Sequence, residues 1–175
     1  MYLPRAVYVG VIRKPRPEDA ADLARVHVVS WQEAYRGLLS QSFLDSIDLT
    51  TRTEWWERTI STGESSISVG EVEGVVEGFC LSGVSHDPGW GEIYAIYTTP
   101  AMWGTGLGRA LLTAGEASMV DRGFQGALLW VLDGNARARR FYERHGWSLA
   151  APFRIETIGG TEVTERRYEK RLEGP

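Results

Sequence analysis

The six residues Trp103–Gly108, W-G-T-G-L-G, constrain this chain more than any other stretch. An apolar, β-rich run, Ile93–Thr98, comes before them and is closed by Thr99 and Pro100. After them Leu107, Ala110, Leu111, Ala114 and Ser118 recur at helical spacing, so the glycines stand between a strand and a helix start. Main-chain N–H groups at a helix start lack intrahelical partners, and the helix dipole adds partial positive charge there. Without side chains in the way, such a bend can close on an anion, and a pyrophosphate fits it. Ala127–Leu132 reads as a second buried strand, which makes the unit strand–helix–strand, parallel and right-handed.

Spacing rules out two familiar phosphate loops. A Walker loop ends in Gly-Lys-Ser/Thr, whereas Gly108 is followed by Arg109 and Ala110. The dinucleotide fingerprint G-x-G-x-x-G, counted from Gly104, needs a glycine where Arg109 stands. About thirty residues on, Asn135–Trp147 reads N-A-R-A-R-R-F-Y-E-R-H-G-W. Together with the upstream E-I-Y-A-I-Y-T-T-P from Glu92, this resembles the GNAT acetyltransferase superfamily, whose Q/R-x-x-G-x-G/A loop binds the pyrophosphate of acetyl-coenzyme A. Trp103 takes the Gln/Arg position of that loop, Gly106 the central glycine and Gly108 the last. The departure at Trp103 matters little physically, because main-chain N–H groups supply most of the grip.

Composition narrows the function classes. At 175 residues one domain is expected, with 43% hydrophobic and 24% charged residues. A net charge of -4 argues against a general nucleic-acid binder, which needs a basic face. A single cysteine, Cys80, and three scattered histidines leave no disulfide framework and predict no metal site. No apolar run reaches membrane-spanning length, and Met1–Arg13 lacks the pattern of a leader, so no membrane partner and a cytoplasmic location are expected.

In chain order, Ala6–Ile12 reads as an opening strand stopped by Pro15 and Pro17. Pro17-Glu18-Asp19 starts a helix carrying Leu23, Ala24, His27, Trp31, Ala34 and Tyr35 on one stripe, to near Gly37. A short helical piece over Gln41–Ile47 and a third over Thr51–Ser61, capped by Asp48 or Thr50, follow. Ser66–Val72 and Val75–Val84 form a hairpin about Glu73-Gly74. Ser148–Ile158 and Thr161–Leu172 form another about Gly159-Gly160, and the mixed charges of its second strand read as solvated faces. This succession is the one the resemblance implies. It is an α/β (α+β) fold, a mostly antiparallel twisted sheet of about seven strands with a splayed central parallel pair and four to five helices on both faces. Residues 1–65 would be the acceptor side, 66–147 the acetyl-CoA-binding core and 148–175 the terminal hairpin.

Acetyl transfer to an amine needs an oriented thioester, a neutral amine and a proton for the leaving thiolate. The resemblance implies that Trp103, Gly104, Thr105, Gly106, Leu107, Gly108 and Arg109 hold the diphosphate. The Ile96 and Tyr97 backbone, if splayed from its neighbour, would receive the cofactor arm, and one N–H could serve as oxyanion donor. Asn135, with Ala138 one turn on, matches the position that contacts the arm; Asn135 also reads as a helix cap, and both can hold. Tyr142 matches the tyrosine proposed as general acid, a phenol of pKa ~10 facing a thiolate of pKa ~8.5. The alternative is a core aromatic on the face of Ala138 and Phe141. Glu92 matches a glutamate acting as base through water, or is a surface residue at a strand start.

Arg137, Arg139, Arg140, Arg144 and Arg109 offer guanidinium groups to phosphates or to solvent. His27, Trp31 and Tyr35 share one helix face, as core packing or as an aromatic wall for a cationic amine. Trp90 and Trp103 flank the strand and the loop, Trp147 seals the core, and Cys80 is inert. The expectation is an N-acetyltransferase using acetyl-CoA on a primary amine of a small molecule or peptide, with a homodimer admitted by the resemblance. The rival is a non-catalytic acyl-CoA-binding sensor or interaction module.

Overall fold

The computed structural model describes residues 10–172. Seven strands form one sheet: β1 (Val11–Arg13), β2 (Ser66–Val72), β3 (Val75–Val84), β4 (Trp90–Thr98), β5 (Gly126–Leu132), β6 (Ser148–Ile158) and β7 (Thr161–Arg171). Their spatial order is β1-β2-β3-β4-β5-β7-β6, antiparallel throughout except for β4 and β5. Five helices accompany them: α1 (Ala20–Ala34), α2 (Gln41–Asp45), α3 (Leu49–Thr62), α4 (Leu107–Asp121) and α5 (Ala136–Arg144). Of the opening strand expected over Ala6–Ile12, residues 6–9 lie outside the described part, and the strand seen is Val11–Arg13. No helix among the described residues is long and apolar enough to cross a membrane.

Local chemistry sets the turns. Glu73 and Gly74 have φ of 51° and 83°, and Gly159 and Gly160 have 55° and 78°. Two consecutive positive φ values are what a two-residue hairpin of matching twist requires. Asp48 caps α3 by accepting from Thr51 N at 2.7 Å. Pro17–Asp19 forms a 3-10 turn leading into α1, where the Asp19 carboxylate accepts from Arg16 N and from Arg13, each at 2.6 Å. The Arg13 guanidinium beside it holds the Asp19 carboxyl below the usual carboxylate range.

Two apolar layers flank the sheet. On one face α4 and α5 bury Leu107, Leu111, Met119 and Tyr142 against Cys80, Ile93, Leu129 and Tyr168. On the other, α1 and α3 bury Leu23, Val26 and Trp56 against Val69, Val76 and Phe79. The β4–β5 ladder is short. Pairing runs from Trp90↔Gly126 to Ile93↔Leu129 and stops there, while β4 continues to Thr98 and β5 to Leu132. On its other side β4 carries one extra residue, Tyr94, between the pairs Ile93↔Ser82 and Ala95↔Leu81. Such a bulge bends the strand at the point where it leaves β5.

The charged residues of β7 are not simply solvated faces. β7 lies inside the sheet between β5 and β6, so its side chains meet partners on both sides. Glu165 is buried and bonded to Arg154 at 2.6 Å, Arg166 reaches Asp133 at 3.0 Å, Arg167 reaches Asp87 at 2.5 Å, and Lys170 reaches Glu116 at 2.8 Å.

Close approach of α4 to the sheet yields a test. A β-carbon on Gly115 would lie 2.6 Å from the buried Cys80 sulfur. Overpacking of that kind costs about 1–3 kcal/mol, against a helix-propensity gain of about 1 kcal/mol. Gly115→Ala is therefore expected to lower stability in the natural background, and to raise it when introduced into Cys80→Ala. Urea titrations of the four proteins read the change of sign; the same loss in both backgrounds would contradict this packing.

Candidate active site

The chain leaves β4 through Thr99, whose N–H donates to Glu77 O at 2.9 Å and whose hydroxyl donates to the Glu77 carboxylate at 2.6 Å. A 3-10 turn, Pro100–Met102, follows. Trp103 N donates to Pro100 O at 3.1 Å and Thr105 N to Met102 O at 3.3 Å. Gly104 and Gly106 have φ of 79° and 106°, a region that a side chain at either position would strain. The first helical bond of α4 is Ala110 N to Gly106 O at 3.0 Å, and Gly106 provides no side-chain cap. The Leu107 N–H meets only the Thr105 hydroxyl, at 3.4 Å. The N–H groups of Gly104, Gly106, Gly108 and Arg109 make no hydrogen bond among the described residues.

These amides border a cleft of ≈ 600 Å³. Its walls are the Ile96–Thr98 end of β4, the loop from Met102, the α1 residues Ser30 and Ala34, and the Arg137–His145 face of α5. A smaller space of ≈ 80 Å³ occupies the gap between β4 and β5, lined by Ile93–Tyr97, Trp130, Val131 and Asn135. Ala34, Ile96, Tyr97, Arg137, Ala138 and Tyr142 line both, so cleft and gap meet at these side chains. A diphosphate fits the donor set at the loop, and an extended arm fits the unpaired edge of β4 beyond Ile93. Arg109, Arg140 and Arg144 add positive charge along the cleft. Arg139 instead turns away, to Asp133 at 2.7 Å and the Tyr168 hydroxyl at 3.2 Å.

Asn135 opens α5, and its side-chain carbonyl accepts from Ala138 N at 3.1 Å. The residue is buried and borders the gap. Tyr142 is also buried, and no hydrogen bond within the described residues ties its hydroxyl. Burial raises the pKa of Tyr142, as it does for Tyr35 and Tyr97, so all three remain phenols across the neutral range. Glu92 is half-buried and pairs with Leu128 one step before the ladder ends. Burial raises its carboxyl pKa, opposed by the charges of Arg154, His86 and Arg167. It lies outside the lining of both cleft and gap, at the neighbouring residue to Ile93.

The face of α1 separates into two environments. His27 is buried among Trp31, Trp55, Trp56, Phe79 and Tyr97, with ring centroids 5.5–6.2 Å apart. Its Nδ1 and the Trp31 Nε1 are buried without a hydrogen-bond partner among the described residues. Burial, then the charge of Arg52, brings the His27 pKa down to about 3. Tyr35, two turns on, reaches the gap, and its hydroxyl lies 2.8 Å from that of Tyr97. Trp90 sits at the opposite end of β4 from the loop, against Gly126 and 5.8 Å from Arg171. Trp147 is buried, with its Nε1 donating to Glu116 at 2.8 Å. Cys80 is buried, and its thiol pKa is pushed up to about 12.

Sequence reasoning overlooked two contacts: the Tyr35–Tyr97 hydroxyl pair, and Arg137 with its guanidinium carbon 3.4 Å from the centre of the Trp103 ring. Each joins residues far apart in the chain, and no local pattern announces such a pairing. Among the described residues no group of three or more His, Cys, Asp or Glu side chains is placed to hold a metal ion.

A model of the family described as "Acetyltransferase (GNAT) family" matches residues 20–147. The chain belongs to that family. As a member it is an N-acetyltransferase, an acyltransferase dependent on acetyl-CoA. It is 31% identical over 152 residues to the N-acetyltransferase YuaI of Bacillus subtilis (strain 168), covering 85% of this chain and 86% of that protein. The fold is shared with the PaiA N-acetyltransferase of Thermoplasma acidophilum, solved in complex with coenzyme A, at a TM-score of 0.72 and 22% identity over 94% of this chain and 99% of that one. It is shared too with yncA of Salmonella typhimurium, solved with its cofactor acetyl-CoA, at a TM-score of 0.71 and 21% identity over 96% of each chain.

His27 makes the aromatic layer pH-sensitive. Its pKa is about 3 when folded against the ordinary 6.5, so between those values only the unfolded chain takes up the proton. Its contribution to stability is thus complete above pH 6.5 and is lost as pH falls, by up to about 1.4 kcal/mol per pH unit. Replacing His27 by Leu should flatten the fall in unfolding free energy between pH 7 and pH 5. An unchanged pH dependence in the variant would contradict the buried, neutral histidine.

Proposed function

We propose that this N-acetyltransferase moves the acetyl group of acetyl-CoA to a primary amine of a small molecule or peptide, by direct attack in a ternary complex. The observation that carries the proposal is the junction of cleft and gap. Four unpaired main-chain N–H groups stand at one end, and the untied Tyr142 hydroxyl stands where the two spaces meet. Amides at Gly104, Gly106, Gly108 and Arg109 hold the diphosphate, aided by the α4 dipole. Ile96 and Tyr97 present main chain to the arm, and Asn135 and Ala138 border it from α5.

In this reading the amine attacks the thioester carbonyl, the C–N bond forms, the C–S bond breaks, and the thiolate takes a proton from Tyr142. Burial keeps this phenol protonated at neutral pH, so its O–H is in place to hydrogen-bond the leaving sulfur, while the same burial makes it a weaker acid than a free phenol. The amine reaches the gap from the Tyr35 side, and Glu92 accepts its proton through water. The raised Glu92 pKa brings this carboxylate closer to the range useful for a base. Cys80 offers no covalent route, since it is sealed beneath α4 and its thiol titrates far above neutrality. His27 is an unsuitable base for the same reason of burial.

Three variants separate these roles. Tyr142→Phe should retain coenzyme A affinity and lose about 100-fold or more in turnover. Gly106→Val should abolish coenzyme A binding, because a β-branched residue is strained at φ of 106° and its side chain covers the amides. Glu92→Gln should remove the acid limb from the pH profile of kcat/KM. The readouts are calorimetric binding and coenzyme A thiol release over a panel of polyamines, aminoglycosides, amino acids and peptide N-termini. Binding without release on every member of the panel would favour a cofactor-sensing module over catalysis.

A further inference from the structure

The loop that follows β4 and the start of α5 that follows β5 are the two lips of the cleft, and a cation–aromatic contact joins them. The Arg137 guanidinium sits over the Trp103 indole, its carbon 3.4 Å from the ring centre. Trp103 is itself anchored, with Nε1 donating to Thr98 O at 3.3 Å, and that carbonyl also accepts from the Ser30 hydroxyl at 3.0 Å. Arg137 has no carboxylate within salt-bridge distance among the described residues, unlike Arg139, which is paired with Asp133. It borders both the cleft and the gap. A guanidinium stacked through its face keeps its N–H donors in the plane, pointing outward from the ring edge. Trp103 directly precedes Gly104, the first of the unpaired amides, and Arg137, Trp103 and Gly104 all border the cleft.

We propose that Arg137, oriented by its stack on Trp103, is a phosphate-binding clasp that closes on the cofactor diphosphate from the lip opposite the glycine loop. The inference rests on the cofactor placement proposed above. The loop amides contribute partial charges fixed in the backbone, and Arg137 contributes a full charge delivered from α5. Because that charge bridges two elements, cofactor binding pins α5 to the loop and the arm lies between them. Trp103 is a positioning residue in this scheme and makes no phosphate contact of its own.

The test is calorimetric titration of the full chain with coenzyme A at low and high ionic strength, for the natural protein and for Arg137→Ala, Arg137→Lys, Trp103→Phe, Trp103→Ala and the double alanine variant. Arg137→Ala should weaken binding about 10- to 100-fold, the range for losing hydrogen bonds to a charged group. The gap should narrow as salt rises. Trp103→Phe keeps a ring to stack on and should stay within a few-fold of the natural protein. Trp103→Ala should approach the loss seen for Arg137→Ala, and the double variant should be little weaker than either single one. Arg137→Lys, charged but unable to stack and fork, should fall between.

Arg137→Ala binding as tightly as the natural protein would overturn the clasp, as would a loss indifferent to salt or losses that multiply in the double variant. Absence of coenzyme A binding by the natural protein would instead remove the cofactor placement itself. Thermal melts of each variant separate unfolding from lost affinity, and Trp103→Phe keeps the test open should Trp103→Ala fail to fold.

Discussion

A β-ladder that stops early is the constraint from which the site follows. Past Ile93 and Leu129 the two parallel strands no longer bond to each other, and the Tyr94 bulge bends β4 away at that place. Buried main-chain groups without partners are costly, so a protein keeps such an edge only where water or a ligand can satisfy it. Here the unpaired edge leads to a loop in which the Gly104, Gly106, Gly108 and Arg109 N–H groups are also unpaired, and to a helix start that adds its dipole. The result is a strip of free main-chain groups, interrupted between Thr98 and Gly104, along a cleft of ≈ 600 Å³. An extended ligand with an anionic head fits that strip better than a compact one does.

The two faces of the sheet divide the work. The face under α4 and α5 is apolar and closely packed, with Gly115 set against Cys80 and Tyr142 against Trp147 and Tyr168. It holds the loop and α5 in fixed relation to the gap. The face under α1 and α3 is aromatic, with His27 stacked on Tyr97 and tilted to Phe79, and edge contacts among His27, Trp56, Phe79 and Tyr97. From this side Ala34, Tyr35, Ala95 and Tyr97 line the gap, and the Tyr35 and Tyr97 hydroxyls lie 2.8 Å apart. Behind these hydroxyls the histidine is held neutral by burial.

What could be read from the chain and what could not divides along the range of the interactions. Glu73-Gly74 and Gly159-Gly160 announced hairpins because the φ values of a tight turn are a local demand. The glycine bend was equally legible, since a strand, glycines and a helix start follow one another within a few residues. The stretch carrying Asn135 and Tyr142 was read through its resemblance to the family motif, and it forms the helix Ala136–Arg144 capped by Asn135. By contrast, the end of the β4–β5 ladder and the Tyr94 bulge depend on how three strands are aligned, which no single run of residues encodes. The charges of β7 looked solvated because their partners, Asp133, Asp87 and Glu116, lie 33 or more positions away in the chain. Arg137 looked like one arginine among several until the fold brought Trp103 beneath it.

The central claim is that main-chain amides of the glycine bend hold the cofactor. Amide-resolved NMR during a coenzyme A titration tests it most directly, with hydrogen exchange measured on the same samples. The amides of Gly104, Gly106, Gly108 and Arg109 are expected to move downfield and become protected from exchange as coenzyme A is added. Saturable binding that leaves those four amides unshifted and freely exchanging would contradict it.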